Sequence, residues 1–143
     1  MVKLLDKVSE AEVVRALAEA ESWTSGEIRV HVKRGAVKDV LLEAQKVFQR
    51  LGMHRTELRS GVLIFISWKS HSFAIVGDEG IHRKAGDAFW SGVRDRMQAE
   101  FVKGELLNGI LAGIHSAGEC LKENFPRTAG DKNELSNTVT QGD

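Results

Sequence analysis

The spacing of apolar and polar positions along the chain alternates between a helical and an extended period, and this divides it into elements. Val13, Val14, Leu17, Ala18 and Ala20 recur at helical spacing. Ser9-Glu-Ala-Glu12 ahead of them has the form of a capping box, in which the serine hydroxyl bonds the N3 amide and the glutamate reaches back to the cap. A first helix is expected to end near Ser22-Trp23. From Glu27 the period becomes two: Ile28, Val30 and Val32 alternate with Glu27, Arg29, His31 and Lys33. That predicts a strand with one well-buried face, nearer the edge of its sheet than the strand that follows. Val37, Val40, Leu41, Ala44, Val47, Phe48 and Leu51 return to helical spacing, with Gly52 placed as a left-handed helix end.

Val62 to Ile66 is a continuous apolar run rich in β-branched and aromatic residues, bounded by Gly61 and by Lys69-Ser70-His71-Ser72. Its length and flanks predict a central strand buried on both faces. Phe73 to Val76 follows closely enough to complete a hairpin. After Gly80, Phe89, Trp90, Val93, Met97 and Phe101 form one helical stripe ending at Gly104. Leu106, Leu107, Ile110, Leu111, Ile114, Ala117 and Leu121 form a broader one. Gly109, Gly113 and Gly118 lower helix propensity there, so they predict close approach of another element. Pro126 stops this last helix, and residues 127–143 read as a polar, mobile tail with Leu135 as its one anchor.

A strand-helix-strand unit crosses over right-handed and leaves its strands parallel. With the hairpin added, the expectation is an α/β fold, a mixed sheet of about three strands or slightly more packed with helices, in a single domain over residues 1–126. The length of 143 residues, 42% apolar and 28% charged, suits one globular domain with a real core. Twenty basic and 20 acidic residues leave a formal net charge of +0, so composition supplies no electrostatic footprint for nucleic acid or an anionic membrane. The N-terminal segment lacks the apolar core of a signal peptide, and no apolar run approaches the ~20 residues of a spanning helix. As given, the chain reads as cytoplasmic. Cys120 is the one cysteine and sits beside an apolar helical stripe, which predicts a buried structural thiol.

The usual nucleotide, hydrolase and zinc-protease motifs are absent. His31, His54, His71, His82 and His115 are scattered without ligand spacing, which argues against zinc. Topology supplies the candidate site. The strands at Ile28 and Val62 start at the same sheet edge, and the antiparallel strand at Phe73 ends there. Thr24 to Glu27, Thr56 to Gly61 and Gly77-Asp78-Glu79-Gly80 should therefore converge on one rim. Glu27, Glu57, Asp78 and Glu79 would bring carboxylates there, and Thr24, Ser25, Thr56 and Ser60 hydroxyls. Such hard oxygen donors suit magnesium or calcium. The competing reading is structural: Asp78 caps a turn or helix, and Glu27 pairs with an arginine such as Arg59.

Several of these residues also stand in a recognisable pattern. Thr24-Ser-Gly-Glu-Ile-Arg-Val30, Phe48-x-x-Leu-Gly-Met53-x-x-Thr56-x-x-Arg59-x-Gly-Val-Leu63, Ile75-x-Gly-Asp-x-Gly-Ile81 and Phe89-Trp90 resemble the TPM family. Phe101-x-x-Gly104, Gly113-Ile114, Leu121, Phe125-Pro126 and Asn133-Glu-Leu135 continue the match. Ser60 stands where many members carry asparagine. The resemblance implies a Rossmann-like α/β/α sandwich, a divalent-cation site built from loops at one sheet edge, and phosphatase activity in some members. It carries over Asp78, from the Gly-Asp-x-Gly motif, and Glu27, from the Thr-x-Gly-Glu motif. The expectation is thus a calcium- or magnesium-binding interaction or regulatory module, with Asp78 as principal ligand, Glu27 second and Glu79 third. Such a module implies a protein partner, and the alternative function is a metal-assisted acid phosphatase.

Overall fold

The computed structural model describes residues 5–86, 88–128 and 139–142. The 133–135 part of the family pattern and the Leu135 anchor lie outside the described residues, as does the side chain of Phe89. In chain order the elements are α1 (Lys7–Glu21), β1 (Glu27–Lys33), α2 (Val40–Arg50), β2 (Gly61–Ser67), β3 (Ser72–Gly77), α3 (Glu79–Ala85), α4 (Ala88–Phe101), α5 (Leu106–Asn124) and β4 (Val139–Gly142). The four strands form one sheet in the order β3-β2-β1-β4. As the crossover rule requires, β1 runs parallel to β2, with Ile28 opposite Val62. β3 runs antiparallel to β2, with Ile64 opposite Ile75.

Every residue of β2 is buried. Its alternating side chains feed two cores: Val62, Ile64 and Ile66 join Ile28, Val30 and Val32 of β1 and the apolar stripes of α1, α4 and α5. Leu63 and Phe65 pack with Ala44, Val47 and Phe48 of α2. Helices therefore cover both faces, which makes the α/β/α sandwich. The α5 glycines act as expected. A Cβ at Gly113 would lie 2.6 Å from the Met97 sulfur on α4, and one at Gly118 would lie 2.8 Å from the Ala20 methyl on α1.

Three boundaries differ from the sequence reading. α1 is capped by Asp6, whose carboxylate accepts the Ser9 N–H at 2.8 Å, so Ser9 lies inside the first turn and the capping box is not used. α2 begins at Val40 because Asp39 takes the cap position and accepts the Leu42 N–H at 3.1 Å. The helical region after Gly80 divides into α3 and α4 at Gly86, whose φ of 69° breaks the helix.

The larger correction concerns the tail and the place of β1. Val139–Gly142, expected to trail from the domain, pairs parallel with β1 from Val30 to Lys33. β1 is therefore an interior strand, and its polar side is also enclosed: His31 is buried, stacked on Phe65, with Nδ1 2.6 Å from the Thr140 hydroxyl. Gln141 ties β4 to the start of the chain, accepting the Leu5 N–H and donating to the Leu5 carbonyl, both at 3.2 Å. Single-strand periodicity could not reveal this, because β4 is short and polar and is held by partners far away in sequence. A chain ending at Thr128 should still fold but lose about 2–4 kcal/mol, the net worth of a handful of hydrogen bonds at ~0.5–1.5 each. Urea unfolding measures this, and an unchanged midpoint would show that β4 contributes nothing to stability.

Candidate functional site at the rim of the sheet

The three segments expected to converge at one end of the sheet do so through main-chain hydrogen bonds. The Glu27 N–H donates to the Ser60 carbonyl (3.2 Å), the Asp78 N–H to Gly61 (2.9 Å) and the Gly80 N–H to Arg59 (2.9 Å). The 56–60 loop closes on itself where the Thr56 hydroxyl accepts the Ser60 N–H at 3.1 Å. Arg59 occupies the left-handed region at φ 52°, uncommon for a residue with a side chain.

That backbone aims Arg59 at the rim carboxylates. Its Nε donates to Asp78 Oδ2 at 2.7 Å and its Nη2 to Asp78 Oδ1 at 2.8 Å, a bidentate pair. Its Nη1 reaches Glu79 Oε1 at 3.2 Å. Asp78 Oδ1 also accepts the Glu79 N–H at 2.8 Å and so caps α3. The hydrogen bond to Asp78 holds the Arg59 guanidinium still more firmly in its charged form. Asp78 is buried and Glu79 exposed, so the pair forms a carboxylate step from the protein interior into solvent. The glycines around Asp78 serve close approach rather than a left-handed turn, since neither has positive φ. A Cβ on Gly77 would strike the Trp90 ring, and one on Gly80 would strike the Leu58 and Arg59 carbonyls.

Glu27 reaches the same sheet end but is not brought together with Asp78 and Glu79. It is 2% exposed and shares a side-chain hydrogen bond with Glu21 of α1, itself 5% exposed. Burial, followed by the adjacent Glu27 charge, pushes the Glu21 carboxyl up to about 9, so the dyad holds a proton at neutral pH. Glu21 was missed in the sequence. Its signal was there: it lies one turn beyond the core residue Leu17 on the same helix face. Thr24 is likewise removed from the rim, because its hydroxyl donates to the Phe125 carbonyl and accepts the Gly26 N–H at 3.0 Å. Among the described residues, no group of three or more His, Cys, Asp or Glu side chains is disposed to hold a metal ion. Asp78 and Glu79 offer two carboxylates around one guanidinium. That set fits a magnesium- or calcium-type ion that keeps several of its waters, provided Arg59 withdraws.

The fold and this rim define a small α/β sandwich whose polar centre lies at the shared end of parallel β1 and β2. The profile of the TPM domain matches residues 1–120, and the chain belongs to that family. It is similar to the BA42 protein of the psychrophilic bacterium Bizionia argentinensis, with 38% identity, a TM-score of 0.93, and coverage of 99% of this chain and 98% of that one. Two more distant likenesses show the fold alone. The N-terminal domain of a P. gingivalis protein has a TM-score of 0.70 at 18% identity, covering 87% of this chain and 83% of that one. The N-terminal domain of the cg2496 protein of Corynebacterium glutamicum has a TM-score of 0.65 at 12% identity, covering 95% and 80%. No curated protein matches the chain.

The two buried titratable centres set opposing pH dependences. His31 is pushed down to about 4, first by burial and then by nearby Arg50. The fold therefore favours neutral His31, and that stability is lost as pH falls from 6.5 through about 4. Glu21 has its folded value raised from 4.5 to about 9, so its contribution is complete below 4.5 and is lost as pH rises toward about 9. From these two groups, stability should be nearly level between 4.5 and 6.5 and fall above 6.5 by up to ~1.4 kcal/mol per pH unit. Glu21→Gln should remove the alkaline decline and turn the level stretch into a rise in stability from about pH 4 to 6.5, set by His31 alone. Urea midpoints measured from pH 4 to 9 test this, and an unchanged alkaline slope in the variant would contradict the assignment.

Proposed function

We propose that this TPM domain is a divalent-cation-binding interaction or regulatory module, in which a calcium or magnesium ion and the Arg59 guanidinium compete for the Asp78–Glu79 rim. The observation that carries the reading is that one positive group is already held jointly by both carboxylates. An ion on the same oxygens replaces it, and Arg59, 39% exposed, has solvent to withdraw into. The exchange turns a tethered charge outward and so changes the surface offered to a protein partner. Asp78 is the principal ligand and Glu79 the second. Glu27 enters only if its dyad with Glu21 opens.

Metal-assisted hydrolysis of phosphomonoesters is the weaker reading. Asp78 is occupied by Arg59 and by the helix cap, and the Thr24 hydroxyl is spent on the Phe125 carbonyl. Turnover of p-nitrophenyl phosphate is expected below the ordinary enzymatic range of roughly 1–10³ per second. A rate within that range, lost with chelator and in Asp78→Asn, would reverse the order of the two readings.

Calorimetric titration of metal-stripped protein with calcium and with magnesium tests the exchange. Asp78→Asn should keep the α3 cap and the fold but lose most of the binding. Arg59→Gln, which removes the internal competitor, should bind about tenfold more tightly than wild type. At a hundredfold excess over the dissociation constant, the ion should stabilise the wild type by about 2.7 kcal/mol. Null titrations of both the wild type and Arg59→Gln would overturn the proposal.

A further inference from the structure

Among the described residues, the side of β3 away from β2 is an edge of the sheet. The Asp78 N–H bonded to the Gly61 carbonyl sets the phase of the antiparallel ladder. Ser72, Ala74 and Val76 turn their main-chain groups toward β2, while Phe73, Ile75 and Gly77 turn theirs outward. None of these three outward-facing residues makes a further main-chain bond among the described residues. Native domains usually blunt such an edge. Here it forms the floor of a recess of about 540 Å³, walled by Val40 and Leu41 of α2 and by Trp90 and Arg94 of α4. At the hairpin end, Phe73 also lines a second hollow of about 240 Å³ with Trp68 and Phe101. Leu41 is 50% exposed on the wall, and Val102 is 71% exposed at the far end.

We infer that this edge is a docking groove for an extended, acidic peptide segment of a partner protein, which adds a strand beside β3. The outward N–H and C=O groups supply the main-chain bonds, and alternate side chains of the added strand fall toward the α2 wall and the α4 wall. Charge selects the occupant. The larger recess carries Arg94 and His82 and no carboxylate, and Arg94 makes no ion pair among the described residues. Asp95 lies beyond it, toward the hairpin. Shape disfavours a second copy of this chain: each copy's β3 is sunk between its own α2 and α4, and two recessed edges cannot meet. The inference gives the interaction module of the proposed function its partner class but does not depend on the ion.

The probe is a capped octapeptide of alternating valine and glutamate, titrated into ¹⁵N-labelled protein in the presence of chelator, so that failure here and failure of cation binding are separable. The peptide should shift the Phe73, Ile75 and Gly77 amides and slow their exchange with solvent. N-methylation of every second peptide nitrogen should abolish binding in one of the two phasings. Arg94→Glu should weaken it by about fivefold or more, since an exposed ion pair becomes a repulsion. Ile75→Pro removes an outward donor without removing a β2 bond and should block docking. Three results would overturn the inference: no shift of these amides at millimolar peptide, equal binding of a valine–lysine peptide, or protection of the same amides by self-association in sedimentation without peptide.

Discussion

β2 has no face and no edge left for water. Its seven residues are buried, its side chains alternate into two separate cores, and its main chain is bonded to β1 on one side and β3 on the other. A strand in that position must have helices on both faces, since either uncovered face would expose a row of large apolar side chains worth ~1.5–3 kcal/mol each when buried. The three layers, the crossover from β1 and the short hairpin to β3 all satisfy this one demand. So does the rim. A parallel and an antiparallel neighbour around the same strand bring the start of β1, the start of β2 and the end of β3 to a single sheet end.

At that end, main-chain and side-chain chemistry divide the work. Hydrogen bonds from Glu27, Asp78 and Gly80 hold three loops in register without using their side chains. Carboxylates thus freed settle their charge by what lies within reach. Asp78 takes the guanidinium that the left-handed Arg59 backbone delivers. Glu27 shares a hydrogen bond with the buried Glu21 of α1, and the two keep a proton between them. Two acidic positions of one sequence pattern therefore have opposite electrostatic fates. A tethered cation balances one, while proton uptake balances the other.

The two edges of the sheet differ in the same way. β4 closes the β1 side, with Gln141 and Thr140 joining it to Leu5 and His31. The β3 side keeps its outward amides and lies in a basic and aromatic recess rather than under a further strand. Of the two terminal strands, β3 is the one set in a recess wide enough for another chain to lie beside it.

How much of this was legible beforehand follows from the range of each interaction. Local periodicity carried the burial of Val62–Ile66 and the helix stripes, because a side chain's face follows from its spacing along the chain, and the crossover rule and the short hairpin carried the strand directions. Topological rules then carried the convergence of the rim segments, since strand directions alone place them. The carboxylate partners were beyond that reach. Whether Asp78 faces Glu27 or Arg59 depends on a few ångströms and on one positive φ, which no spacing encodes. Glu21 joined Glu27 through the docking of α1, and β4 joined β1 across more than a hundred residues of chain. The sequence by itself determined the layers and the meeting of three loops. Tertiary packing decided which charges in those loops neutralise one another, because over such short distances burial and the nearest neighbour govern ionisation.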